Sequence, residues 1–120
     1  RFSNYAKEVR FFNFDISHFD IMGISTEESV RLMAPDAAHT HVKDQRGRAP
    51  DFEFLIPGEG DFDFVAYLQA MHEAGYTGSI TAEVSYMVQR RPDYDPMAAA
   101  AMCYQTLEKA FLESGVPRDG

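Results

Sequence analysis

Three side chains that could bind a metal ion or move a proton are Asp15, His41 and Glu83. Each lies at the carboxyl end of a short apolar segment rich in β-branched or aromatic residues, which is typical of a buried strand. Carboxylate oxygens and imidazole nitrogens bind Mn²⁺, Mg²⁺, Co²⁺ or Zn²⁺. A shared cation requires the donor atoms to converge to about 3–4.5 Å, because each metal–ligand bond is about 2.0–2.2 Å long. The spacing alone is weakly specific, since any α/β protein of three units places some polar residue at such positions.

The segment Ala38–Asp44 has the strongest pattern of this kind. Because side chains alternate faces along a strand, His39, His41 and Lys43 share one face, while Thr40 and Val42 share the other. Two imidazoles and an ammonium on one face of a buried strand are costly unless that face lines a site. Within it we predict His41 to be functional and His39 to be a packed core residue.

The elements around these residues alternate between strand and helix, so the predicted class is α/β with parallel strands joined by right-handed crossovers. Residues 1–8 are weakly patterned, as at the end of a helix. The predicted strands are 9–14, 37–43 and 78–84; the predicted helices begin at Ser25, at Asp61 or Asp63, and at Asp95; the predicted loops are 44–61 and 85–94. Three such units cannot close a (β/α)8 barrel, which takes roughly 250 residues. We therefore expect a small open sheet or part of something larger.

Composition argues against nucleic acid and membrane as partners. The 120 residues carry a net charge of −8, and no basic cluster exceeds Arg90-Arg91, which argues against nucleic-acid binding. No apolar run approaches the ~20 residues that span a membrane. The single cysteine, Cys103, excludes an internal disulfide and fits a reducing compartment, so a cytoplasmic location is expected. Because the chain opens with Arg1 rather than Met, we expect a processed chain or a fragment.

Several motifs occur together in a characteristic order. They are Asp15-Ile-Ser-His18, His39-Thr-His-Val-Lys-Asp44, Pro57-Gly-Glu-Gly-Asp-Phe-Asp63, Gly75-Tyr-Thr-Gly78 and Glu83-Val-Ser85. Together they resemble the C-terminal part of the xylose isomerase-like barrels, that is, the sugar phosphate isomerase/epimerase family with ketose 3-epimerases and inosose dehydratase as relatives. The resemblance extends over about residues 9–113. It implies strands 6–8 of a TIM barrel, with residues 1–120 as a single partial barrel domain.

The resemblance also implies roles for individual residues. Asp15, His41 and Glu83 would be three ligands of one divalent cation, and the fourth, a Glu on an earlier strand, has no counterpart here. His18 resembles the family's substrate-contacting histidine. The epimerases carry an Arg six residues after the ligand His, where this chain has Gly47 between Arg46 and Arg48. Lys43 and Arg46 are accordingly the expected further contacts to substrate.

The implied function is a metal-dependent isomerase or epimerase of a sugar or sugar phosphate. Such an enzyme removes the proton next to a carbonyl and forms an enediolate, with a cation polarising the carbonyl and a carboxylate taking the proton. Glu83 would serve as one acid/base and the absent upstream Glu as its partner. The expected partner is a small sugar, and assembly with further copies of the chain stays open. A chain of only these 120 residues is expected to be inactive.

Two other functions stay open. Endonuclease IV, a DNA-repair enzyme on the same barrel, has a related pattern, but its extra Asp-x-His zinc ligands correspond here to Phe52 and Phe54, which cannot ligate zinc. A non-catalytic interaction module is the second alternative, since an open three-stranded sheet exposes two edges and an apolar face. Simpler roles also exist for single residues. Asp15 could cap a turn, His41 could bond a backbone carbonyl, and Lys43 could pair with Asp44.

Overall fold

The computed structural model of the chain describes residues 12–118. The weak helical pattern of residues 1–8 and the first part of the strand predicted at 9–14 therefore lie outside the described residues. The strands are β1 (Phe12–Asp15), β2 (Ala37–Val42), β3 (Asp44–Arg48), β4 (Asp51–Leu55) and β5 (Ile80–Ala82). The helices are α1 (Ile16–Asp20), α2 (Thr26–Met33), α3 (Phe64–Glu73), α4 (Tyr86–Gln89) and α5 (Pro96–Ser114), with a 3₁₀ turn at Ala34–Asp36.

Three of these strands form a parallel sheet in the order β1-β2-β5. In the register of this sheet, His41 lies opposite Asp15 on one side and Thr81 on the other. The Glu83 N–H donates to the Val42 carbonyl at 2.8 Å and so extends the pairing of β2 with β5 by one residue. Asp15, His41 and Glu83 are thereby held at the same edge of the sheet, as the β-α-β-α-β-α pattern predicts.

The main helices begin where the sequence places capping residues. The Ser25 hydroxyl accepts the Glu28 N–H at the start of α2, and the Asp63 carboxylate accepts the Ala66 N–H at the start of α3. Asp95 caps α5, with Pro96 as its first residue. These side chains satisfy N–H groups that have no partner within the helix. The helical starts predicted at Ser25 and Asp95 are confirmed, and of the two starts predicted for α3, Asp61 and Asp63, the structure has Asp63.

The core lies between the sheet and the helices. Phe14, Thr40 and Val42 point away from the site face and are completely buried. Helix α3 packs beside α2 and α5, and Tyr67 and Leu68 are its most buried residues. Burying each such apolar side chain stabilises the fold by about 1.5–3 kcal/mol. No helix among residues 12–118 is long and apolar enough to cross a membrane.

The prediction of a loop over residues 44–61 was wrong. Strands β3 and β4 pair antiparallel as a hairpin, with Asp44 opposite Leu55 and Arg48 opposite Asp51. The alternating polar and apolar residues of Asp51-Phe-Glu-Phe-Leu55 suit a strand that is covered on one side. Phe54 and Leu55 are buried, while Asp51 and Glu53 are exposed. The hairpin rises directly from the carboxyl end of β2 and forms a wall beside the site.

Candidate functional site

The carboxyl ends of the three parallel strands bring Asp15, His41 and Glu83 together. Each offers one ligand atom, and these atoms all lie within 4.8 Å of one another. The His41 Nδ1 is 3.9 Å from the Glu83 Oε1. The 4.8 Å limit on the separation of these atoms is slightly larger than the spacing of about 3–4.5 Å expected between ligand atoms of one cation. Small side-chain rotations would bring the three donors to bonding distance. The set of two carboxylates and one imidazole fits a divalent cation in its chemistry.

Asp15 uses its two carboxylate oxygens for different purposes. Its Oδ1 accepts the Ser17 N–H at 3.0 Å and the Ser17 hydroxyl at 2.6 Å, which caps the short helix α1. Its Oδ2 faces the site and accepts a hydrogen bond from the Lys43 ammonium at 2.6 Å. Burial would raise the pKa of this carboxyl, but the bonds from Lys43 and Ser17 and the nearby charges hold the pKa below its usual 3.8. Asp15 therefore stays ionised near neutral pH.

Lys43 is the buried cation of the site. Its side chain is only 4% exposed, and its Nζ lies 2.6 Å from the Asp15 Oδ2 and 2.8 Å from the Glu83 Oε1. The same Nζ is 4.8 Å from the centre of the Phe54 ring, which covers it as in a cation–π pair. The alternative of an ion pair between Lys43 and Asp44 does not hold. The Asp44 carboxylate instead accepts the backbone N–H groups of Gln45, Gly58 and Phe62, each at 3.0 Å.

His18 lies at the rim of the same site. Its Nε2 is 3.4 Å from the Asp15 Oδ2, and its side chain is 62% exposed. The imidazole packs edge-on against the Phe54 ring, with the ring centres 5.7 Å apart. A substrate that enters beside Asp15 would therefore meet His18, whose predicted role is contact with the substrate.

Arg46 and His39 do not join the cluster. The Arg46 side chain is exposed, and its Nη2 donates to the Glu59 carbonyl oxygen at 3.2 Å, on the loop after β4. The prediction that His39 packs in the core was wrong, since this residue is exposed and its nearest aromatic neighbour is His41, with ring centres 5.3 Å apart. His39 shares the face of His41, and within residues 12–118 nothing packs over that part of the face.

The Gly58-Glu59-Gly60 turn holds the loops around the site. The Glu59 carboxylate binds the Arg91 guanidinium through two hydrogen bonds of 3.0 Å and also accepts the Ile56 N–H. This links the loop after β4 to the loop after α4. The hydrogen bonds from Arg91 outweigh the effect of burial and hold the pKa of Glu59 below its usual 4.5.

Two residues that contribute to the site, Asn13 and Phe54, were not identified from the sequence. The Asn13 Nδ2 lies 3.3 Å from the His41 Nδ1 and can donate to it when that nitrogen is unprotonated. Its position two residues before Asp15, on the same strand face, is a signal that could have identified it. Phe54 was recognised only as unable to bind zinc. Its packing over Lys43 depends on the hairpin, which the sequence pattern did not predict.

Comparison with known proteins identifies the family of this chain. A sequence model described as "Xylose isomerase-like TIM barrel" matches residues 5–105. The chain belongs to the xylose isomerase-like TIM barrel family. This confirms the resemblance drawn from the motifs, as well as the α/β class with a parallel sheet taken from such a barrel.

Individual relatives are longer than this chain. An uncharacterised protein of Mycobacterium leprae (strain TN) is 34% identical over 74 residues, which is 62% of this chain and 26% of the relative. The xylose isomerase domain protein of Planctomyces limnophilus superposes with a TM-score of 0.71 at 22% identity, over 95% of this chain and 43% of that one. The xylose isomerase domain protein of Alicyclobacillus acidocaldarius gives 0.67 at 26% identity, over 85% and 37%. The chain therefore spans less than half of each of these relatives.

Proposed function

We propose that this chain supplies the metal-binding side of an isomerase or epimerase that acts on a sugar or a sugar phosphate. Asp15, His41 and Glu83 would hold one divalent cation such as Mn²⁺, Mg²⁺, Co²⁺ or Zn²⁺, which carboxylate and imidazole ligands bind. The observation that carries the proposal is the convergence of these three ligand atoms within 4.8 Å, at the carboxyl edge of three parallel strands. Active sites of TIM-barrel enzymes lie at this edge.

The chemistry requires a base next to an electrophile. A divalent cation bound at this centre would polarise the substrate's carbonyl. Glu83 is 42% exposed at its side chain, so it can reach a bound sugar as well as the centre, and it would remove the proton next to the carbonyl. Loss of that proton gives an enediolate. Return of a proton to the same carbon from the opposite face gives the epimer, whereas protonation of the former carbonyl carbon, with the hydroxyl proton moving between the two oxygens, gives the isomer.

Other residues of the chain would bind and orient the substrate. His18 presents an exposed imidazole 3.4 Å from the Asp15 carboxylate, where it can hydrogen-bond a sugar hydroxyl. Phe54 is buried against Lys43 and His18, so its ring would hold these two side chains beside a bound sugar. The same ring occupies the position at which a zinc-cluster nuclease would need a ligand, which favours a carbohydrate substrate over DNA.

The test is proton exchange in heavy water. D-fructose and D-xylulose, each free and phosphorylated, are incubated with Mn²⁺ and a longer protein that contains this chain together with the upstream strands of the barrel. Deuterium entering the carbon next to the carbonyl is followed by NMR. We expect exchange with at least one of these ketoses, abolished by EDTA and reduced roughly 10²–10⁴-fold in Glu83→Gln, the range that a positioned acid/base contributes.

The matched control is Glu113→Gln, which makes the same chemical change on a side chain that is 54% exposed on α5. This variant should exchange at the rate of the unchanged protein. Exchange that persists undiminished in EDTA, or in Glu83→Gln, would contradict the assignment of the centre. Exchange that is no faster with the protein than without it, for all four ketoses, would contradict the proposed reaction.

A further inference from the structure

Lys43 occupies the position between the two carboxylates that the proposed cation would need. Its Nζ donates to the Asp15 Oδ2 at 2.6 Å and to the Glu83 Oε1 at 2.8 Å. Hydrogen bonds between ionised partners of this length are among the strongest in proteins. With its side chain 4% exposed, the ammonium offsets one of the two negative charges and reduces the repulsion between the two carboxylates at the same strand edge.

Only one of the two Asp15 carboxylate oxygens is available to a cation. Its Oδ1 is already bonded to the N–H and the hydroxyl of Ser17, at 3.0 Å and 2.6 Å. A cation must therefore approach the Oδ2, the atom that Lys43 holds. An ammonium and a divalent cation sharing the same oxygen would place three positive charges within a few ångströms in a partly buried site, which is strongly unfavourable.

We infer that Lys43 and the divalent cation compete for Asp15 and Glu83, so that cation binding releases the Lys43 ammonium from these carboxylates. This inference rests on the proposed metal centre. In the absence of a divalent cation, Lys43 acts as an internal counter-ion and keeps the site assembled. Its displacement is a cost that lowers the affinity for metal, and the released ammonium becomes available at the face where substrate would bind.

The first experiment measures metal affinity directly. Free Mn²⁺ is followed by its EPR signal during titration of the protein, of Lys43→Met and of Lys109→Met. Met keeps the apolar stem of lysine and removes the competing charge. We expect Lys43→Met to bind Mn²⁺ at least about tenfold more tightly, a change of about 1.4 kcal/mol. Lys109 is 78% exposed on α5, and its replacement should leave the affinity unchanged.

The outcomes separate this inference from the metal centre itself. Mn²⁺ binding that is equal or weaker in Lys43→Met, while the unchanged protein binds, overturns the competition and leaves the centre intact. No binding by either protein overturns both proposals. Binding by Lys43→Met alone supports the competition in its strongest form, and Asp15→Asn should then abolish that binding.

A second measurement needs no variant at position 43, and so does not depend on whether Lys43→Met folds. The unchanged protein is treated with an amine-acetylating reagent, with and without saturating Mn²⁺, and modification of each lysine is read by peptide mass spectrometry. We expect acetylation of Lys43 to rise several-fold with Mn²⁺ while that of Lys109 stays constant. If Lys43 is acetylated to the same extent with and without bound Mn²⁺, the ammonium stays in place and the inference is overturned.

Discussion

Replacing Asp44 by Asn should loosen the loop that closes the site. Asp44 is 1% exposed, and its carboxylate accepts three backbone N–H groups, two at Oδ1 and one at Oδ2. An amide can keep the two bonds to Gln45 and Phe62 through its oxygen, but its NH₂ group then faces the Gly58 N–H at 3.0 Å. One charge-assisted bond is lost and two donors oppose each other, which we expect to cost about 2–3 kcal/mol of the free energy of unfolding.

Urea denaturation followed by circular dichroism measures this cost. The control is Asp61→Asn, the same chemical change on an exposed side chain of the same loop, which should shift the free energy of unfolding by less than about 0.5 kcal/mol. Hydrogen exchange should also show faster exchange of the Gly58 amide than of the Phe62 amide in Asp44→Asn. An unchanged unfolding midpoint would refute the view that this carboxylate holds the loop to the strand.

Two further predictions concern the same turn. In Gly60→Ala the new Cβ would clash with the Asp44 Oδ1, so we expect a loss of about 1–3 kcal/mol in the free energy of unfolding, measured by urea denaturation. The loss should be smaller in an Asp44→Ala background. Because Arg91 holds the pKa of Glu59 below 4.5, the stability from this pair is present above about pH 4.5 and is lost as the pH falls through the lower folded-state pKa. The unfolding midpoint should therefore fall more steeply below pH 4.5 than in Glu59→Gln, and parallel curves would contradict this.

The parts of the fold that depend on local signals could be predicted from the sequence. The caps at Ser25, Asp63 and Asp95 depend on a side chain and the N–H groups two or three residues further along, so their chemistry is visible in a short window. The face shared by His39, His41 and Lys43 follows from the two-residue period of a strand. Parallel order then brings the ends of successive strands to one edge, which is why the convergence of Asp15, His41 and Glu83 could be predicted.

The parts that depend on distant contacts could not be predicted. The hairpin was missed because β3 is polar, with Gln45, Arg46 and Arg48 along it, and its pairing with β4 leaves one side in solvent. The alternation around Phe52 and Phe54 was a signal for a strand, but it does not say what the strand packs on. The burial of Phe54 over Lys43 is set by the tertiary position of the hairpin. The prediction that His39 lies in the core requires other residues to cover its face of β2. Residues 12–118 do not cover that face at His39.

Asp15 shows that a structural and a functional role need not be alternatives. As a cap, its Oδ1 fixes the first turn of α1 through Ser17. As a site residue, its Oδ2 lies within 3.4 Å of His18 and 2.6 Å of Lys43. Because the cap commits one oxygen, every positively charged group at the site must share the other. The turn that follows β1 thus determines which Asp15 oxygen faces the site, and so makes the position of Lys43 decisive for the proposed metal binding.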